Sequence, residues 1–304
     1  SDKKYLTAVI ELIARFIGKK IFYIRCLWVK NSNIVLVHPQ AVGYKSLFRL
    51  IKYNKVTIYV MDCSFFCIRS YNTHPVLNKE CLDCLGKINP HSQCHPFPIS
   101  ISKDKNIQYL NKLLRLSGKI NFLAQNIKHK ELLLAHFGKK TNVSIFGMDV
   151  NEGEEENPNF QETKFKKKYN IVFHGATLIA KGLLYTIELA DKLPNYSFLI
   201  PSSYSDVLKE ANIQSLPKNV DCINMTWETG LKEFVISADL VINPSLWSAP
   251  IEGALIKSAL YNKVVATVQS EYGFESDFKG IENHIRLSNN IEIAAKELGD
   301  YLSK

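Results

Sequence analysis

The sequence predicts an α/β protein made of two Rossmann-like domains, each a doubly wound parallel sheet. Three observations carry that expectation. In the C-terminal half, short apolar runs alternate with segments of about ten residues whose apolar positions recur at helical spacing. The N-terminal half alternates in the same way, less regularly. Between the halves lies "NEGEEENPNFQETKFKKKYN", a charged stretch that is acidic before Pro158 and basic after it. Strands alternating with helices make βαβ units, and such units stack into parallel sheets. The chain's 304 residues suit two domains of ordinary size. The expected division is a first domain over residues 1–150, a linker over 151–169 and a second domain over 170–304.

The first domain opens on "AVIELIARFI", whose apolar spacing is helical. A doubly wound domain ordinarily opens on a strand, so its first unit is expected to be short or missing. "NIVLVHP" and "KVTIYVMD" are rich in β-branched residues and read as strands, with "SLFRLIK" as the helix between them. An irregular cysteine-rich insert, residues 63–98, follows. Alternation then resumes with helix "KNIQYLNKLLRLS", strand "KINFLAQ", helix "HKELLLAHFG" and strand "NVSIFG".

The second domain starts at "YNIVFHG", a strand bounded by Gly175. Next come helix "KGLLYTIELADKL", strand "YSFLIP", helix "SDVLKEANI" and strand "VDCINM". Helix "GLKEFVISA", strand "DLVINP", helix "IEGALIKSALY" and strand "KVVATV" continue the series, and the amphipathic "NIEIAAKELGDYL" closes it. Ligands of such sheets bind in the crevice at the C-terminal ends of the strands.

The net charge of +9 is unevenly divided. Residues 1–150 hold 23 Lys and Arg against 8 Asp and Glu, and the remainder holds 15 against 21. A basic first half suits an anionic surface such as a membrane face or a phosphorylated lipid. Its basic residues are mostly lysines spread along helices, without the interleaved aromatic block of a nucleic-acid reader, so no nucleic-acid partner is expected. No apolar run reaches membrane-spanning length and no signal peptide is evident, which makes the cytoplasm the expected location, and the basic first half suits the inner face of the cell membrane.

Two strand–helix junctions concentrate the candidate binding residues. In "FHGATLIAKGLLY" a strand meets Gly175, a polar loop with Thr177, and then Lys181-Gly182 at a helix start. Free amides at a helix N-terminus favour an anion, and Lys181 adds a full charge there. In "NPSLWSAPIEGALIKSAL" the loop from Ser248 through Ile251 and Glu252 leads into a second helix start, with Lys257 one turn on. Glu252 either favours the helix dipole or accepts from ribose hydroxyls. Two such ends can hold two phosphates of one nucleotide.

These residues resemble the nucleotide-sugar domain of GT-B glycosyltransferases, especially the family 4 type. The resemblance rests on Gly175 followed by Lys181-Gly182, on Pro244-Ser245 ending a strand, on Lys263-Val264-Val265 opening the next, and on Gly147 and Asp149 in "NVSIFGMDV". The wording "SLWSAPIEGALIKS" is similar to a bacterial subgroup tied to surface polysaccharides such as O-antigen or capsule. It implies GT-B architecture, a UDP- or GDP-sugar donor, a polyprenyl-diphosphate-linked glycan as acceptor and retaining chemistry. The family's Arg after the glycine is Ala176 here, and its two glutamates fall at Ala249 and Lys257. Either Glu252 stands in as the acidic contact to the donor sugar, or the activity departs from the family's. A GT-B-like sugar-nucleotide epimerase or hydrolase, and a metal-stapled interaction protein, are the other readings.

His38 ends "NIVLVHP" and Asp62 ends "KVTIYVMD", placing both at strand ends of the first domain, where either could orient the donor sugar or relay a proton. Five of the seven cysteines lie between Cys63 and Cys94. The C-x-x-C spacing of Cys81 and Cys84 suits a tetrahedral zinc ion, with Cys67 and Cys94 completing the expected set and Cys63, His91 and His95 as substitutes.

Overall fold

The computed structural model describes residues 2–97, 101–147, 168–278 and 283–303. Most of the expected linker lies outside the described residues, as do Pro98 and Asp149. Lys168 and Tyr169, at the linker's end, are part of the second domain. Tyr169 is buried against Phe234, and Lys168 pairs with Asp239.

In the first domain a long helix, α1 (Asp2–Trp28), leads to β1 (Asn33–Leu36). Two helices, α2 (Pro39–Val42) and α3 (Tyr44–Tyr53), return the chain to β2 (Lys55–Tyr59). Irregular backbone follows to α4 (Lys103–Leu116), and then β3 (Ile120–Ala124), α5 (Ile127–Phe137) and β4 (Asn142–Ile145) complete the unit. All pairings are parallel and the strands lie in chain order, β1-β2-β3-β4. Register sets Val56 beside Ile120 and Phe122 beside Val143, so one face of the sheet is continuous core. Asn126 caps α5, its Oδ1 accepting from the His129 amide at 2.7 Å.

The second domain contains β5 (Ile171–Phe173), α6 (Leu183–Lys192), β6 (Phe198–Ile200), α7 (Tyr204–Ala211) and β7 (Val220–Cys222). It continues with α8 (Leu231–Ser237), β8 (Leu240–Asn243), α9 (Gly253–Tyr261), β9 (Val265–Val268), β10 (His284–Leu287) and α10 (Ile291–Leu302). Its six parallel strands are ordered β10-β9-β8-β5-β6-β7. Strands β5, β6, β8 and β9 are buried along their whole length, which is why each reads as an unbroken apolar run. The strand order reverses between β5 and β8, and the two candidate junctions follow these two strands. They therefore flank the topological switch point, where such sheets open a ligand crevice.

Two elements escape the sequence pattern. Helix α2 is a single turn, begun by Pro39. Strand β10 is an edge strand with only Leu287 buried, so it lacks an apolar run.

The domains meet through packed side chains. Trp247 is 4% exposed and, with Ala180 and Ala249, joins the first domain's core. Its ring meets Tyr71 edge-on, at 4.7 Å between centroids. Among the described residues, no helix is long and apolar enough to cross a membrane.

Candidate donor cleft at the switch point

A pocket at the ends of β5 and β8 is lined by Gly175, Lys181, Asn243, Ser245, Ile251 and Glu252. Four of these are residues that the sequence singles out, and they come from both junctions. Gly182 holds the junctions together. Its φ is +83°, and a Cβ there would lie 2.1 Å from the Pro244 carbonyl oxygen. Only glycine lets the Ile179–Lys181 turn pass so close to the chain leaving β8.

The two junctions differ in what their amides can do. The amides of Lys181, Gly182 and Leu183 donate to carbonyls of Leu178 and Ile179, so they are used within the turn. The expectation of free amides at Lys181 and Gly182 is corrected accordingly, and Lys181 offers its ammonium to the pocket. Helix α9 begins at Gly253, with Glu252 as its N-cap residue rather than in its first turn. The first amides of α9 have no carbonyl one turn back within the helix, and Gly253 and Ala254 border the pocket.

Glu252 is 9% exposed and makes no cap bond with its side chain. Its Oε1 instead accepts from Lys181 Nζ and Ser245 Oγ. Lys181 also lies over the Trp247 ring, 4.8 Å from the centroid. A cation and a carboxylate are thus held together on opposite sides of the crevice. Asn243 donates from Nδ2 to the His174 carbonyl. Ser258 Oγ donates to the Ala254 carbonyl at 2.8 Å, so it accepts from His174 Nδ1 at 2.9 Å. His174 stacks on Trp227 with 8° between the rings.

Three expected binding residues lie elsewhere. Thr177 sits in the loop after β5 without lining the pocket. Lys257 stands over the Trp227 ring at 4.9 Å, because its place on α9 turns it away from the crevice. Ser248 faces the first domain. Its amide donates to Asn72 Oδ1 at 2.9 Å, its hydroxyl accepts from Asn72 Nδ2 at 2.8 Å, and the same hydroxyl donates to Glu80. Glu80 also accepts from the amides of Glu271, at 2.6 Å, and Tyr272, at 3.2 Å. Asn126 donates to the Pro250 carbonyl, and the Cys63 thiol lies 3.7 Å from the Ser248 carbonyl. Burial pushes the Glu80 carboxyl above its ordinary range, against three hydrogen bonds that pull it down. This latch was not foreseen. The available signal was Glu80 itself, which with Asp83 is one of two acids between Asp62 and Asp104 of a basic domain.

His38 and Asp62 come together in a second pocket, at the ends of β1 and β2, with Tyr44, Ser64 and Phe65. His38 is exposed and precedes α2 without capping it, and Asp62 accepts from the Ser64 amide at 2.9 Å. The three proposed catalytic residues therefore divide between two pockets, with Glu252 in the cleft and the others in the first domain.

The zinc expectation finds no support. Among the described residues, no group of three or more His, Cys, Asp or Glu side chains is placed to hold a metal ion. All seven cysteines are free thiols. Cys63, Cys84 and Cys94 pack into the first domain's core. Burial drives the pKa of Cys67 far upward, and the neighbouring Cys84, Cys94 and Cys81 oppose its ionisation further. Cys81 is pushed up to about 11, again chiefly by burial.

No protein-family model and no curated protein matches the sequence. Solved structures match the fold. A sucrose-phosphate synthase from Thermosynechococcus elongatus superposes with a TM-score of 0.58 at 10% identity, over 90% of this chain and 64% of that one. An α,α-trehalose-phosphate synthase (UDP-forming) from Burkholderia vietnamiensis gives 0.53 at 11% identity, over 95% and 70%. Its counterpart from Burkholderia xenovorans, in complex with glucose-6-phosphate, gives 0.54 at 10%, over 94% and 70%. This chain thus spans 64% to 70% of these proteins' lengths. At such identities the likeness is one of architecture, and the chain has the two-domain GT-B fold that its sequence predicts.

Proposed function

We propose that this chain is a glycosyltransferase that takes a sugar from a nucleoside-diphosphate donor. The observation that carries the proposal is the cleft at the switch point, where Lys181 and the α9 amides face Glu252 in a fold shared with UDP-forming synthases. A diphosphate entering the cleft competes with Glu252 for Lys181. The ammonium then neutralises the charge that builds on the leaving phosphate, which is the main demand of glycosyl transfer from such donors. Glu252, released from Lys181, accepts hydrogen bonds from donor hydroxyls. The His38–Asp62 pocket at the first domain's strand ends receives the acceptor. In a retaining reaction the departing phosphate takes the acceptor's proton, so no strong enzymic base is required.

The finer reading places the chain in surface-polysaccharide synthesis, with a polyprenyl-diphosphate-linked glycan as acceptor at the cytoplasmic membrane face. The family 4 resemblance and the basic first domain support it. Calorimetry with UDP- and GDP-sugars tests the donor site. Binding of one donor, weakened at least about tenfold in Lys181→Ala (on the order of 1.4 kcal/mol), is the expected result. Absence of heat with every donor, or an unchanged affinity in the variant, refutes the assignment.

A further inference from the structure

The C-terminal part of helix α1 is anchored on the first domain. Cys26 is 4% exposed and interacts with Ser46 of α3, and Arg49 Nη2 donates to the Leu27 carbonyl at 2.9 Å. On the helical wheel, at 100° per residue, Ile17, Ile21, Ile24 and Trp28 form one stripe, and Phe16 and Leu27 widen it. Cys26 lies on the opposite side, so the stripe points away from the domain. All six residues are exposed, Trp28 to 82%. An apolar face of this size on a water-facing helix calls for a partner.

Charge decides which partner. Between Glu11 and Asp62 the sequence holds nine Lys or Arg and no Asp or Glu. Lys19, Lys20, Arg25 and Lys30 are exposed on or just beyond the helix, and Lys45, Lys52 and Lys55 are exposed on the elements beside it. A second copy of this chain would bring the same positive field to the contact and would be repelled. An anionic bilayer would be attracted, and its acyl region would accept the stripe. The paired Lys19-Lys20 and Arg25 keep the helix from crossing a membrane, and they suit one lying in the headgroup layer.

We infer that α1 is an interfacial helix that docks the first domain on an anionic lipid surface through Ile17, Ile21, Ile24 and Trp28. The inference deepens the membrane-face part of the proposed function, but docking does not depend on transferase activity. Lys20 and Arg25, which flank the stripe on the wheel, supply attraction, and the stripe supplies insertion.

The full chain is tested by co-sedimentation with vesicles of phosphatidylcholine alone and of phosphatidylcholine with phosphatidylglycerol, without donor or acceptor. The protein is expected to sediment with the anionic vesicles only. Ile21→Asp with Ile24→Asp should cut the partition coefficient at least tenfold. Lys20→Glu with Arg25→Glu should cut it by about fivefold or more per residue, as a surface attraction of about 1 kcal/mol each requires. Both pairs are exposed, and an unchanged circular dichroism spectrum verifies folding. Equal binding to neutral vesicles, no binding to either, or a dimer that Ile21→Asp abolishes would each overturn the inference. Loss of vesicle binding with donor affinity intact refutes docking alone, and the converse refutes the transferase reading alone.

Discussion

Replacing Glu80 by alanine should loosen the junction between the two domains before it unfolds either one. The carboxylate receives three second-domain donors, Ser248 Oγ and the amides of Glu271 and Tyr272. A hydrogen bond to a charged group contributes about 1.5–3 kcal/mol. Water can reach the vacated amides, since Glu271 is exposed and Tyr272 partly so. A net loss of about 3 kcal/mol is therefore expected, below the sum of three full bonds. Glu80→Gln keeps one oxygen as an acceptor but turns an amide group toward the remaining donors, so it should lose about half as much.

The assay uses Trp247, which sits in the junction at 4% exposure. With Trp28 and Trp227 replaced by phenylalanine, its emission reports water entry at the junction, and far-ultraviolet circular dichroism reports the sheets. In Glu80→Ala the emission should shift to the red at a lower urea concentration than the loss of ellipticity. If the two signals stay coincident with an unchanged midpoint, Glu80 is not a latch and the hydrogen bonds carry no weight.

Acid should destabilise the first domain through two buried histidines. Burial lowers His129 to about 3 and His136 to about 4. Each ring accepts through Nδ1, from the amides of Gln125 and Gly86 respectively. Below the ordinary histidine value of about 6.5 the unfolded chain binds more protons than the folded one, so their contribution is complete above that pH and falls as pH drops. Between pH 6.5 and 5 the pair should cost about 3 kcal/mol; urea midpoints check this, and His129→Asn with His136→Asn should flatten the profile. Gly182→Ala should lower stability by at least about 2 kcal/mol, from positive φ and a clash with Pro244, measured by thermal unfolding. On the proposed reading, Lys181→Ala should weaken donor binding without changing the far-ultraviolet circular dichroism of the unliganded protein, because Lys181 lines the cleft rather than the core.

What was legible in the sequence follows from how each element is buried. Strands β5, β6, β8 and β9 are buried on both faces, so burial alone writes them as apolar runs. Strand β10 is half solvated and carries Arg286, whose guanidinium holds the buried Glu275, so its sequence resembles a loop. The pairing of Gly175–Lys181 with Ile251–Glu252 was legible because both follow strands at one sheet edge. The role of Ser248 was not, because its partners Asn72 and Glu80 stand 176 and 168 residues away. Cysteine spacing was equally readable, but spacing fixes only the local turn between Cys81 and Cys84, and the approach of both to Cys67 and Cys94 depends on the path of the whole segment.

The loop from Ser245 to Glu252 joins the proposed donor cleft to the domain junction. At one end Ser245 and Glu252 form part of the cleft, and in the middle Ser248 is fixed to Asn72 and Glu80. Trp247 lies between, with Lys181 over its ring on the cleft side and Tyr71 against it on the other. A ligand that draws Lys181 away from Glu252 removes a cation from the Trp247 face, a contact worth about 0.5–2 kcal/mol. That is less than the Glu80 latch contributes. The energetic order implies that a donor adjusts the cleft side of the loop and leaves the junction closed, so that the second domain receives its ligand against a first domain already in place.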